Sequence, residues 1–215
     1  GVTGVTIYDT FNYAANPMNY QEYSNDPRLA IVQGDIRDAT TLENSILGHD
    51  FVVHFAAESH VDRSIENGSA FVSSNVLGTF NVLEASRRAG VQTIVHVSTD
   101  EVYGSIQDGS ASESYPLLPN SPYSASKAAA DLLVLAYGKT YGMNVGITRC
   151  CNNYGLRQFP EKIIPLFVSN LIDGKRVPIY GNGNQIREWI HVDDHCRGVY
   201  AVLSNGNQGE VYNIA

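Results

Sequence analysis

An α/β fold built on a doubly wound parallel sheet is the architecture this sequence predicts. Short apolar, β-branched runs alternate with helix-length stretches along most of the chain. Two of those runs, residues 51–57 and 93–98, show almost no polar alternation, as expected of strands buried on both faces. The two longest helical stretches end at Gly90 and Gly142, where a glycine suits the left-handed cap that closes a helix.

Taken in order, residues 5–8 read as a short strand followed by a polar loop rich in Asn and Tyr. Leu29–Gln33 reads as a second strand running into Gly34 and Asp35. A helix over 40–47 follows Asp38, whose side chain suits an N-cap. The run 51–57 is a strand interrupted only by His54, and 70–89 is a long helix. Residues 93–98 form another strand, 123–141 another helix, and Val145–Cys150 a further strand. Beyond about residue 160 the rhythm changes. A helix over 159–173 has Pro160 at its start and Gly174 after it, and a short strand covers 177–180. The turn-rich GNGNQ (181–185), a helix over 193–203 and the strand Val211–Ile214 follow.

The 215 residues carry 14 Lys+Arg against 22 Asp+Glu, a formal net charge of −8. That balance argues against nucleic-acid binding, which needs cations to neutralise phosphates. With 43% hydrophobic and 17% charged residues the composition is globular, and no apolar run reaches the about 18 residues of a membrane span. Three cysteines, two of them adjacent, make no disulfide framework, which suits reduced thiols in the cytoplasm. Gly1 is not an initiator Met, and both ends fall in or beside strand-like runs, so the sequence reads as the middle of a longer protein.

Two constellations carry chemistry. Tyr123-Ser-Ala-Ser-Lys127 begins a helix, and i, i+4 spacing puts the phenol and the ammonium on one face. A lysine charge close to a phenol favours the phenolate and makes it a usable base. An ordinary amphipathic helix explains the same spacing. Ser98-Thr99-Asp100-Glu101-Val102-Tyr103-Gly104 lies at the carboxyl end of a strand, the edge where open parallel sheets bind ligands. Its two acids can divide acid and base roles if their environments separate them. They reach one substrate only if the chain turns there, and a solvated acidic loop is the plainer alternative. Small residues in Phe55-Ala56-Ala57-Glu58-Ser59 allow a flat cofactor close to the backbone. Asp9, ending the first strand, stands where a dinucleotide fold bonds the adenosine ribose. His54 and His96 read as core residues, and the Cys150-Cys151 pair as packing. His191 and His195 have helical spacing but no convincing further ligands, so no metal is expected.

Together these residues resemble the extended short-chain dehydrogenase/reductase family, and within it the nucleotide-sugar 4,6-dehydratases. The resemblance covers nearly the whole chain, most specifically in HFAAESHVDRSI (54–65), STDEVYG (98–104), YSASK (123–127), NNYG (152–155) and the stretch from FPEKIIPLF to REWIHVDDHCRG. It implies a Rossmann-like sheet unit over 1–158, part of a substrate-binding lobe over 159–188, and a return to the sheet over 189–215. It implies NAD as cofactor and a nucleotide sugar, dTDP-glucose, as substrate, with CDP- or UDP-glucose as alternatives. A non-catalytic dinucleotide-binding protein is the reading from another class. In the implied reaction C4 is oxidised by NAD+, water is eliminated across C5 and C6, and hydride returns to C6. Tyr123 with Lys127 takes the C4 hydroxyl proton, Glu101 removes the C5 hydrogen, Asp100 protonates the departing hydroxyl, and Thr99 bonds the C4 oxygen.

The implied cofactor contacts are Asp9, Asp35, Ile36, Phe55, Ala56, Ala57, Ser59, Ser74, Tyr123, Lys127 and Asn153. Ser74 stands where the family usually has Thr, and Thr10-Phe11-Asn12 replaces a Lys-Leu-Thr-like run. Glu58, Thr99, Asn152, Lys162, Ile163, Pro178, Ile179, Tyr180, Arg187 and Asn213 are the implied substrate contacts. A homodimer through the helices at 70–89 and 123–141 and a role in making rhamnose-type deoxysugars are also implied. Leu132-Leu133-Val134-Leu135-Ala136 is apolar around more than one face, as a helix covered on two sides is. The family's first strand and Gly-rich pyrophosphate turn are expected upstream, between the strands ending at Asp9 and near Ala57. A piece lacking them is expected to be inactive by itself.

Overall fold

The computed structural model describes residues 1–215. Strands β1 (Val5–Asp9) and β2 (Leu29–Gln33) pair in parallel, with Ile7 opposite Ile31. Between them, residues 10–28 form a loop with two short 3-10 turns. Helix α1 (Ala39–Ile46) follows β2, and the Asp38 side chain caps it by accepting from the Thr40 and Thr41 N–H groups. Strands β3 (Phe51–His54), β4 (Thr93–Thr99), β5 (Val145–Cys150) and β8 (Val211–Ile214) make a four-stranded parallel sheet in the order β3-β4-β5-β8. A third, small sheet joins β6 (Asn152–Tyr154) to β7 (Trp189–His191). No strand ladder links β1 to β3, although Tyr8 and Val52 pack on the same apolar cluster.

Between β3 and β4 lie α2 (Val61–Glu66), α3 (Gly68–Phe71), a π-helical segment over Val72–Leu77, and α4 (Gly78–Ala89). The helix expected over 70–89 is therefore continuous but wound more loosely in its first half. Helix α5 (Pro122–Tyr141) precedes β5, α6 (Ile163–Ile172) falls between β6 and β7, and α7 (Val192–Asn205) precedes β8. Gly90 and Gly142 cap α4 and α5 in the left-handed conformation.

Helices cover the central sheet on both faces, as its apolar strands require. Ile94 of β4 and Ile147 of β5 meet Leu83 of α4 and Val134 and Tyr137 of α5. The alternate residues Val95 and Val97 meet Val199 and Val202 of α7. A period of two along β4 thus sorts its side chains between two helical layers.

Three expected elements differ. The strand expected over 51–57 ends at His54, because Glu58 gives both backbone groups to the buried Asn75 side chain. The strand expected over 177–180 is absent, since this exposed stretch has no neighbour to pair with. The helix expected over 159–173 starts at Ile163, with Pro165 in its first turn where a missing N–H costs nothing. No helix is long and apolar enough to cross a membrane.

Leu83 is 1% exposed at the centre of the α4–α5–sheet cluster. Leu83→Ala is expected to cost about 2–5 kcal/mol of stability, checked by urea unfolding.

Candidate active site

β4 ends at Thr99 and the chain turns at once. Residues Asp100–Tyr103 make a 3-10 turn capped by Thr99, whose hydroxyl accepts from the Glu101 N–H at 3.2 Å and donates to Asp100 Oδ1 at 3.2 Å. Gly104 closes the turn at φ 76°, where an added Cβ collides with the Leu118 carbonyl, so only glycine fits. The turn is what a straight strand lacked: it leaves both acids half-buried in shared surroundings. Burial pushes the Asp100 carboxyl above its ordinary range, against the pull of the Thr99 hydrogen bond and the Arg187 charge. Glu101 is pushed up by burial and then by the Asp100 charge, and Arg187 and Lys162 oppose this.

α5 starts with Pro122 at its first position and a reciprocal Ser121–Ser124 capping box, which sets the register of everything after it. Tyr123 is half-buried, with its ring edge-on to Phe71 at 6.2 Å between centroids. Lys127 is 3% exposed. Its Nζ donates to the Val97 carbonyl at 2.7 Å and lies 3.5 Å from His96 Nε2. Burial brings the ammonium down to about 8. This corrects the expectation that Lys127 draws the phenol down: burial, then the Glu101 charge, push Tyr123 up, and of its neighbours the Thr99 hydroxyl is the one that counters. The ammonium is turned toward β4, where a buried carbonyl offers a better partner than a neutral phenol.

Of the cofactor candidates, Asp9, Asp35 with Ile36, and the Phe55–Ser59 run lie at or just beyond the carboxyl ends of strands, and the others sit elsewhere, with different freedom. Asp9 ends β1, is exposed, and accepts from the Phe11 N–H at 2.7 Å, where Phe11 takes a left-handed φ of 50°. Phe55 is 52% exposed beyond β3, with Ala56 and Ala57 half-buried beside it and Ser59 exposed. Asn153 Oδ1 is buried without a partner. Ser74 is half-buried within the π-helical segment. Asp35 has its carboxylate held by the Arg37 side chain and backbone N–H, a pairing that lowers it. Ile36 turns into the core beside Leu42 and Val82, so it offers a ligand its backbone alone.

Among the substrate candidates, Lys162 and Arg187 act on the acids by charge, and Lys162 Nζ donates to the Ser59 carbonyl at 3.2 Å. Asn152 donates to the Glu188 carbonyl at 3.4 Å. Pro178 and Ile179 are exposed, and Tyr180 donates to Asp62 Oδ2 at 2.9 Å. Ile163 lines a separate apolar groove of about 580 Å³ with Phe167 and Trp189, which holds neither acid. Asn213 does not join the group: its Oδ1 accepts from the Tyr103 hydroxyl at 2.6 Å and its Nδ2 donates to the Ala111 carbonyl at 2.9 Å.

Two buried polar residues organise this edge without having been singled out in the sequence. Asn75, 1% exposed, accepts from the Glu58 N–H and donates to the Glu58 carbonyl and Ser126 Oγ, clamping the chain after β3 to α5. Asp131, 0% exposed, follows Lys127 by four residues. That i+4 spacing was a usable signal for Asp131; Asn75 gave only a polar residue within a helical pattern. The two strand histidines are core residues as expected: His54 bonds Thr79 Oγ1 at 2.9 Å and burial holds it at about 3.

Fold and site together define an α/β protein with a parallel sheet and a polar, acid-bearing ligand edge. The chain belongs to the NAD dependent epimerase/dehydratase family, whose pattern it matches over residues 2–215. It is 56% identical over 213 residues to a dTDP-glucose 4,6-dehydratase from Actinoplanes sp., covering 99% of this chain and 67% of the relative. It is 57% identical over 210 residues to one from Streptomyces antibioticus, covering 98% of this chain and 62% of the relative. The structure of DesIV, a dTDP-glucose 4,6-dehydratase from Streptomyces venezuelae with NAD bound, superposes with a TM-score of 0.98 at 56% identity, over 100% of this chain and 66% of that one. The chain thus spans about two thirds of the length of these relatives.

A carboxyl group raised by burial binds its proton more readily folded than unfolded, so its ionised form opposes folding and stability falls as pH rises through the carboxylate range. Glu101→Gln is therefore expected to stabilise the protein at pH 7 by about 0.5–2 kcal/mol. The gain should shrink below about pH 4, where the wild-type acid is protonated; paired thermal melts at the two pH values check it.

Proposed function

We propose that this chain carries the catalytic edge of an NAD-dependent dTDP-glucose 4,6-dehydratase, and that the protein makes the 4-keto-6-deoxy sugar nucleotide. The observation that carries the reading is the turn after β4, which holds Thr99, Asp100 and Glu101 beside Tyr123 within reach of the Lys162 and Arg187 charges. A binding protein has no need of two half-buried acids whose charges oppose folding. High identity to dehydratases across the chain supports the substrate.

The exposed Asp9, the open run Phe55–Ala56–Ala57 and the unpartnered Asn153 Oδ1 fit a dinucleotide. When bound, NAD supplies a hydride acceptor that is regenerated within the turnover. Asp9, Asp35 and the Ile36 backbone would hold its adenosine end; Phe55, Ala56, Ala57, Ser59 and Ser74 would flank it, with Tyr123, Lys127 and Asn153 near the reacting end. Tyr123 takes the proton from the C4 hydroxyl, which requires its raised phenol to be drawn down by the approach of Lys127. Thr99 holds the C4 oxygen. Glu101, pushed up by its surroundings, is suited to remove the C5 proton once the neighbouring ketone has acidified it. Asp100, also pushed up, gives its proton to the departing C6 hydroxyl. Lys162 and Arg187 neutralise the diphosphate on an otherwise acidic protein, with Glu58, Asn152, Ile163, Pro178, Ile179 and Tyr180 shaping the rest of the site.

The break between β1 and β3 supports a further strand and a Gly-rich turn completing the dinucleotide site. The reading includes a sheet unit over 1–158, part of a substrate lobe over 159–188 and a return to the sheet over 189–215. Three free thiols suit a cytoplasmic enzyme, and a deoxysugar of the rhamnose type suits the product. A homodimer is supported by an apolar groove lined by Val72 and Leu77 of the π-helical segment and Leu133 of α5, with Val72 57% and Leu77 50% exposed and Leu132, next to Leu133 in the chain, 59% exposed.

Protein of the relatives' length, given dTDP-glucose, is expected to produce the alkali-induced absorbance of a 4-keto sugar. Glu101→Gln should oxidise C4 but lose at least ~100-fold in product formation. Flat absorbance with dTDP-, CDP- and UDP-glucose would count against any dehydratase. Leu132→Asp is expected to convert a dimer to a monomer in sedimentation, and a monomeric wild type would remove the dimer from the reading.

A further inference from the structure

α5 carries a third polar side chain on the Tyr123–Lys127 face: Asp131, one turn beyond Lys127 and 0% exposed. Arg149 Nε donates to Asp131 Oδ2 at 2.9 Å, and Arg149 Nη1 donates to the Tyr103 hydroxyl at 3.0 Å and the Glu113 carbonyl at 3.3 Å. The second carboxylate oxygen, Oδ1, has no hydrogen-bond partner and faces His96 Nε2 at 3.6 Å. That same nitrogen lies 3.5 Å from Lys127 Nζ. One oxygen of Asp131 is therefore held by Arg149; the other lies beside His96, which stands between it and the lysine, and the Ser98 hydroxyl also pulls this carboxyl down.

Two cations and one anion share this dry interior, since Lys127 and Arg149 are each 3% exposed. The histidines add no charge: burial and then the Lys127 charge hold both His96 and His54 below their ordinary range. Cys150 on β5 faces the ammonium as a thiol raised by burial. Tyr123 lies one turn before it on α5, and Asp100 and Glu101 stand at the edge. An ammonium taken out of water without a countercharge gives up its proton. Asp131 is the group whose charge most favours the ammonium. Burial raises Asp131 itself, and the Ser98 hydroxyl and then the Arg149 and Lys127 charges pull it back toward the carboxylate form.

We propose that Asp131 is a positioning residue for the Tyr123–Lys127 couple: its buried carboxylate is the countercharge that keeps Lys127 an ammonium directed along β4. Arg149 serves to hold that carboxylate in place. The consequence for turnover rests on the proposed function, whereas the charge pairing itself does not.

The test follows Lys127 through the 13Cε shift of isotopically labelled lysine, its signal assigned by Lys127→Arg. Asp131→Asn is expected to lower the Lys127 titration by about one pH unit or more. Arg149→Gln removes the structural pair but not the carboxylate, and should leave the titration at or above the wild-type value. If Asp131→Asn strands the guanidinium and fails to fold, the Asp131→Asn/Arg149→Gln double variant removes both charges and should show the same fall. Asp131→Glu should restore it. An unchanged titration in the folded Asp131→Asn or double variant, or an equal fall in Arg149→Gln, overturns the proposal. In turnover, the high-pH limb of kcat moves to lower pH in Asp131→Asn with KM unchanged. A wild type without turnover speaks against the proposed function alone, and the titration still decides the role of Asp131.

Discussion

The rest of the structure depends on β4 being paired on both sides. Its ladders to β3 and β5 run parallel and in register, with His96 opposite both His54 and Ile147. A parallel register brings the carboxyl ends of adjacent strands to one edge, so the chain after His54, the turn after Thr99 and the segment after Cys150 emerge side by side. α5 is set against that edge by packing of Val134 and Tyr137 on Ile94 and Ile147. The helix could slide only by breaking a well-filled core. Tyr123 and Lys127 are thereby placed relative to the Thr99–Glu101 turn by contacts far from either.

This rigidity lets the edge carry groups that oppose folding. Two half-buried acids, a buried ammonium and a buried Arg149–Asp131 pair all incur desolvation that Coulomb attraction offsets only in part. The apolar layers on both faces of the sheet supply the compensating stability. The acids are raised by the same burial that an acid–base pair needs to work near neutral pH. The phenol is raised too, so the base role proposed for it depends on a change in its neighbourhood rather than on its resting state.

Much of the fold was legible because burial on two faces leaves a plain mark. The uninterrupted apolar runs around Ile94 and Ile147 read as strands, and Gly90 and Gly142 read as helix ends. Less legible were features set by partners distant in sequence. The early end of β3 at His54 follows from Asn75 taking the backbone of Glu58, seventeen positions away in the chain. The two-stranded β6–β7 sheet rests on residues 152–154 meeting 189–191, and three residues on each side are too few to announce a strand. The absent strand at 177–180 shows the reverse: strand-forming residues stay irregular without a neighbouring edge.

At the site, the same division holds. Spacing alone put the phenol and the ammonium of Tyr123 and Lys127 on one helical face, and the run Thr99-Asp100-Glu101 at a strand end named the acids, because local periodicity governs both. Where Lys127 points, which oxygen of Asp131 stays unpaired, why Asn213 bonds Tyr103, and the raising of Tyr123 are decided by burial and by groups from other elements. A one-dimensional pattern carries side-chain type and period. Solvent exclusion and the proximity of charges exist only once the chain is folded.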